Sequence, residues 1–130
     1  MSRIRAALVG LVAAALVAGV TTAASLAATH EKAAAKPATT TITVKAREFH
    51  FTLSKTSLAK PGKVVFKVSN VGKEAHNFVF LSGINKGTPL IQPRHSATLT
   101  VVFKKKGKYT YECTVGEHAE EGMLGTFVVK

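Results

Sequence analysis

The 130-residue chain has no tryptophan, no aspartate and only one cysteine. A lone cysteine rules out an internal disulfide, so nothing covalent staples the fold. Without tryptophan, seven phenylalanines and two tyrosines supply all the aromatic bulk. Every acidic residue is a glutamate, and seven of them face 18 lysines and arginines for a formal net charge of +11. No nucleophile–base pair stands in a recognisable motif and no glycine-rich phosphate cradle is present, so the sequence gives no ground for reading an enzyme. A basic balance suits nucleic acid, an anionic membrane or an acidic protein. However, the lysines are scattered and no nucleic-acid-binding motif accompanies them, so nucleic acid is not expected as a partner. The one run, Lys104, Lys105, Lys106 and Lys108, flanks Gly107 ahead of a strand-like segment and reads as a solvated turn.

The N-terminus reads as an address label. Arg3 and Arg5 precede an uncharged apolar run from Ala6 to Val20, and Ser25-Leu26-Ala27 offers small residues where a signal peptidase cuts. Residues 1–27 are therefore expected to be a secretory signal, cleaved after Ala27, and the protein to be exported to a periplasmic, extracellular or cell-envelope location. The competing reading is an uncleaved anchor, since the weakly polar stretch to Ala28 approaches the ~20 residues that span a bilayer; a membrane contact is expected only in that case. No cysteine follows the apolar run, which excludes lipid attachment there. Export leads to an oxidising compartment, where an unpaired thiol needs a reason: an intermolecular bridge, burial, or commitment to a metal.

Residues 28–40, rich in Ala, Lys and Thr and holding Pro37, have no apolar face and read as a flexible linker. From residue 41 to 130 the pattern changes to short runs of β-branched and aromatic residues broken by Gly, Pro, Asn and Lys. Ile42 and Val44 alternate with polar residues, as do Phe49, Phe51 and Leu53, and Val64–Val68 follows the Pro61-Gly62 turn. Further runs cover 76–81, 98–103, 108–113 and 126–129. This spacing predicts an all-β domain, a Greek-key β-sandwich of about seven to eight strands, with no amphipathic helix. A monomer is expected. So small a core gains from a metal that links distant strands.

The chemistry lies in Gly107–Val129. Tyr109, Tyr111 and Cys113 recur at period two, so they share one face of a strand, and the two tyrosines mark that face as the inner one. Cys113 then ends the strand pointing inward. A loop with Gly116 and Gly122 presents His118 and Met123 at successive five-residue intervals, and its glycines allow the tight return that would let the three side chains converge. His76, at the head of another apolar run and just after the Asn70-Val71-Gly72 turn, can supply a second imidazole. Two histidines, a cysteine and a weak axial methionine are the ligand set of a blue-copper electron-transfer site. Structural zinc sites draw on Cys, His and carboxylate; Glu117, Glu120 or Glu121 could complete one, but Met123 would then be unexplained. His50 alternates with Phe49 and Phe51 and is expected to face solvent, as are His95 and His30.

Cys113-x4-His118-x4-Met123, preceded by Gly107-x-Tyr109-x-Tyr111 and closed by Gly122-Met123-x-Gly125, resembles the copper-binding end of the cupredoxins, with their plastocyanin, pseudoazurin and azurin branches. Asn70-x-Gly72-x3-His76-Asn77 resembles the segment that carries their first histidine. The resemblance runs from about Thr41 to Lys130. It implies one copper ion cycling between Cu(I) and Cu(II), with His76, Cys113 and His118 as strong ligands and Met123 as the long axial one. It also implies that Asn77 stiffens the site by hydrogen bonding, and that His118 is the solvent-facing ligand through which electrons pass, ringed by apolar residues such as Leu124. Many relatives carry Pro-Gly before this histidine, where Gly116-Glu117 stand here, which puts a carboxylate beside the electron port. Single-electron transfer between redox proteins is the function implied, with an acidic partner suggested by the lysines. Copper delivery without electron transfer is the alternative. A copper enzyme would need further histidines or a second cysteine.

Overall fold

The computed structural model describes residues 38–130. The expected signal segment 1–27 and linker residues 28–37 lie outside the described residues. Alternation dictates the strands. In β1 (Thr40–Arg47) Ile42, Val44 and Ala46 are buried while their neighbours face water. In β4 (Gly62–Asn70) Val64, Phe66, Val68 and Asn70 point inward, and in β7 (Ser96–Phe103) so do Leu99, Val101 and Phe103. Side chains with a period of two on a pleated strand give each sheet one apolar face, and two such faces close on one another.

One sheet has the order β2-β1-β4-β7, with β2 at His50–Leu53. The other has the order β3-β9-β8-β5-β6, with β3 at Ser57–Leu58, β5 at Val79–Phe80, β6 at Lys86–Gly87, β8 at Gly107–Glu112 and β9 at Leu124–Val129. β1 pairs parallel with β4 and β3 parallel with β9, and the remaining pairings are antiparallel. Nine strands replace the seven to eight expected, because β3 and β6 are two-residue pieces too short to show a periodicity. The run 76–81 is strand only at Val79–Phe80; His76 instead forms an isolated bridge with Ile91. No helix among the described residues is long and apolar enough to cross a membrane.

Phenylalanines fill the space between the sheets. Phe66 lies with its ring centroid 5.5 Å from Phe78, 5.2 Å from Phe80 and 5.6 Å from Phe127, and Phe103 stacks on Phe127 at 5.1 Å. These aromatic contacts join both sheets across the centre and add directional preference to the burial of large apolar side chains. The register of β1 with β4 and of β4 with β7 brings Arg47, Asn70 and Ser96 to one end of the sandwich, and Phe103 and Gly62 to the other. β8 runs towards the first end and finishes there at Glu112, just before Cys113, with β9 leaving from the same place.

Candidate metal centre

Cys113 follows β8 directly, and its N–H donates to the carbonyl of Met123 (2.9 Å). The intervening loop closes on itself, with His118 N–H donating to Val115 O (3.1 Å) and Met123 N–H to His118 O (2.9 Å). Gly122 turns it at φ +104°, a left-handed conformation that costs residues with a Cβ. Cys113 and Met123 are fully buried and His118 is 8% exposed.

His76 comes from a separate segment held by side chains. The buried Asn70 amide donates to the carbonyls of Glu74 (2.7 Å) and Ile91 (2.8 Å), and its Oδ1 accepts from Gly72 N–H (2.9 Å). The backbone of His76 exchanges hydrogen bonds with Ile91 at 3.1 and 2.7 Å. Asn77 next ties this segment to the residue after the cysteine: Nδ2 donates to Thr114 Oγ1 and Oδ1 accepts from Thr114 N–H, both at 2.8 Å. The segments carrying His76 and Cys113 are thereby locked together.

The structure brings His76, Cys113 and His118 into one buried cluster. The two Nδ1 atoms lie 3.2 Å apart, and Cys113 Sγ lies 4.0 Å from His76 Nδ1 and 3.5 Å from His118 Nδ1. A point equidistant from these three atoms is about 2.1 Å from each, inside the ~2.0–2.3 Å range of bonds from zinc to imidazole nitrogen and thiolate sulfur. Met123 is joined through its backbone to both Cys113 and His118, and its side chain is wholly inside. His50 and His95 are exposed and stand apart from the cluster, and His30 lies outside the described residues.

Sequence reasoning missed two glutamates and a phenylalanine. Glu48 Oε1 lies 3.2 Å from His76 Nε2, and Glu74 Oε2 lies 3.0 Å from His118 Nε2. Glu48 also accepts the N–H groups of Lys73 (2.5 Å) and Glu74 (2.7 Å). Chiefly the Glu74 N–H, with help from Lys73 N–H and the His76 ring, draws the Glu48 carboxyl down to about 2 against the opposing effect of burial. Gly72 leaves room for this carboxylate, since a Cβ there would collide with it. Phe49 sets its edge on the His118 ring at 4.9 Å. The only sequence signal for Glu74 was its position two residues before His76; Glu48 and Phe49 come from a remote loop and left none.

The hydrogen-bonding pattern tests whether a metal fits. A neutral imidazole carries one ring proton, and a carboxylate claims it at Nε2 of each histidine. Both Nδ1 atoms then present lone pairs to one another and to sulfur in a site closed to water. Such an arrangement repels itself unless a cation or a shared proton stands between, so the donor set suits a thiophilic metal ion.

Residues 13–129 match the model of the cupredoxin-like domain family. No curated protein matches the chain. Among solved structures, reduced auracyanin from Roseiflexus castenholzii superposes with a TM-score of 0.61 at 20% identity, covering 70% of this chain and 97% of that one. Auracyanin B gives 0.61 at 23% identity, over 73% of this chain and 91% of its own. Auracyanin A from Chloroflexus aurantiacus, described as a "blue" copper protein, gives 0.60 at 21%, over 72% and 100%. At these identities the likeness is one of fold.

Proposed function

Since this chain belongs to the cupredoxin-like domain family, we propose that it is a type 1 blue-copper protein that passes single electrons between redox partners outside the cytoplasm. The observation that carries the reading is the set of two Nδ1 atoms and one sulfur, 3.2–4.0 Å apart, with both Nε2 atoms already committed to carboxylates. His76, Cys113 and His118 would hold the ion strongly and Met123 weakly along the axis. Copper, when bound, supplies a one-electron Cu(II)/Cu(I) couple. Soft sulfur suits the reduced state and imidazole suits both, and the presence of Met123 favours copper over zinc.

The surrounding residues keep the donor positions fixed. Asn77 locks Thr114, Asn70 locks the segment before His76, and the loop amides lock His118 to Met123. Ligands that cannot move far make reduction a small rearrangement, which is what fast electron exchange requires. The auracyanin A description as a "blue" copper protein supports the same assignment. No enzymatic step is proposed, because among the described residues one metal-binding cluster is present and the other histidines are exposed.

The domain plan proposed is secretory signal 1–27, linker 28–39 and copper domain 40–130, exported and monomeric, with the linker one residue shorter than the 28–40 expected because Thr40 already opens β1. The acidic-partner argument applies to the strands and the far end of the molecule, where the lysines lie, rather than to the rim of His118, where glutamates gather.

Adding Cu(II) to the purified domain tests the reading. An intense blue colour with reversible one-electron reduction is expected. A colourless or pale complex would sink it and favour copper delivery instead.

A further inference from the structure

The glutamates over the two imidazoles are placed as a pair. Glu48 accepts from His76 and also from the amides of Lys73 and Glu74, so it fixes the turn that carries Glu74. That same turn extends the Glu74 carboxylate across to His118. Gly72 leaves the space, and Asn70 holds the Glu74 carbonyl from beneath. Two loops, tied together by these hydrogen bonds, thereby place a negative charge on the outer nitrogen of each imidazole. At His118 this covers the ring nitrogen that would otherwise face solvent.

Resting on the copper reading above, we propose that Glu48 and Glu74 are positioning residues that fix both rings with Nδ1 inward and set the balance between the two copper oxidation states. A carboxylate that accepts the Nε2 proton makes the imidazole a stronger electron donor. Added negative charge favours the more positive Cu(II) state. The pair therefore holds the reduction potential below that of a site whose histidines meet neutral acceptors. The Glu48 side chain is 23% exposed and that of Glu74 55%, so water screens Glu74 more and Glu48 has the larger effect.

The test compares wild type with Glu74→Gln, Glu48→Gln and the double variant. Glutamine keeps an acceptor oxygen and removes the charge. The expected result is a Cu(II) dissociation constant weakened about tenfold, with the Cu(I) constant moving less and the potential rising. A full tenfold separation of the two constants equals 59 mV for one electron. Nitrogen NMR of the metal-free proteins supplies an independent readout: protons at Nε2 of His76 and His118 in the wild type, and mixed tautomers in the variants. Glu74→Gln keeps the test alive if Glu48→Gln fails to fold, because Glu74 lies on the surface. A blue wild type whose Glu74→Gln variant keeps its potential, both affinities and its ring tautomer overturns the inference and leaves the electron carrier standing. A wild type that takes up no copper overturns the function reading, and the tautomers still decide whether the carboxylates fix the rings.

Discussion

The two ends of the sandwich are built from different materials. The interior towards Phe103 and Phe127 is aromatic and held by contact between rings, several of them within 5–6 Å. The end carrying Cys113 is held by polar side chains, with Asn70, Asn77 and Glu48 each bonded to backbone or side-chain groups of other loops. Charge divides the same way. All six glutamates of the described residues lie in or beside the loops of the metal end, while eleven exposed lysines cover the strands and the far end with no acid among them. The far end supplies stability and bulk charge, and the near end gives up apolar packing to fix donor atoms. A net charge therefore describes neither end.

Substitutions should separate the two regions. Cys113→Ala is expected to abolish the blue colour completely, because no other described residue offers a thiolate; an intact visible spectrum would overturn the ligand assignment. Phe66→Ala should cost about 3–5 kcal/mol, the usual penalty for emptying a large core position, as read from urea unfolding of the metal-free protein. Its copper-loaded spectrum should keep the wild-type band position. A shifted band would mean that the aromatic interior and the metal loops are one mechanical unit, and the comparison would fail.

Asn70 tests the polar end. Its side chain is buried and makes three hydrogen bonds, donating to the carbonyls of Glu74 and Ile91 and accepting from the Gly72 N–H. Asn70→Ala should cost about 1–3 kcal/mol for the unsatisfied groups. Unlike Phe66→Ala it should also weaken copper binding, since Ile91 and Glu74 both bear on the histidines. Loss of stability with unchanged affinity would show that the turn only supports the fold.

What could be read in advance follows from locality. Tyr109, Tyr111 and Cys113 declared an inward face because strand periodicity is a property of five consecutive residues, and His118 and Met123 followed because the loop is short. The sandwich was legible for the same reason, through the alternation in Val64–Val68. Two-residue strands such as Lys86–Gly87 have no period to read. Glu48 could not be found because its role arises from β1 lying beside β4, which brings Ala46 opposite Asn70 and delivers the next loop to His76. His118 was expected to face solvent, yet Phe49 and Glu74 cover it from two remote loops. A local pattern carries no record of a neighbour 28 or 44 residues away.

The weakest expected effect probes the division of charge through the rate at which a small cationic oxidant takes an electron from the reduced protein. At 0.01 M salt the Debye length is about 30 Å, and the reagent senses the whole positive molecule; at 0.1 M it is about 10 Å, and only the nearest face counts. Neutralising Glu117, Glu120 and Glu121 to glutamine should therefore slow the reaction by a few-fold at 0.1 M. Neutralising Lys104, Lys105 and Lys106 should leave that rate unchanged at 0.1 M and raise it at 0.01 M, because those side chains stand at the opposite end of β8 from Cys113. Stopped-flow measurements at the two ionic strengths decide the matter. If the lysine variant speeds the reaction equally at both, electrons leave by the far end, and the acidic rim has no part in the exchange.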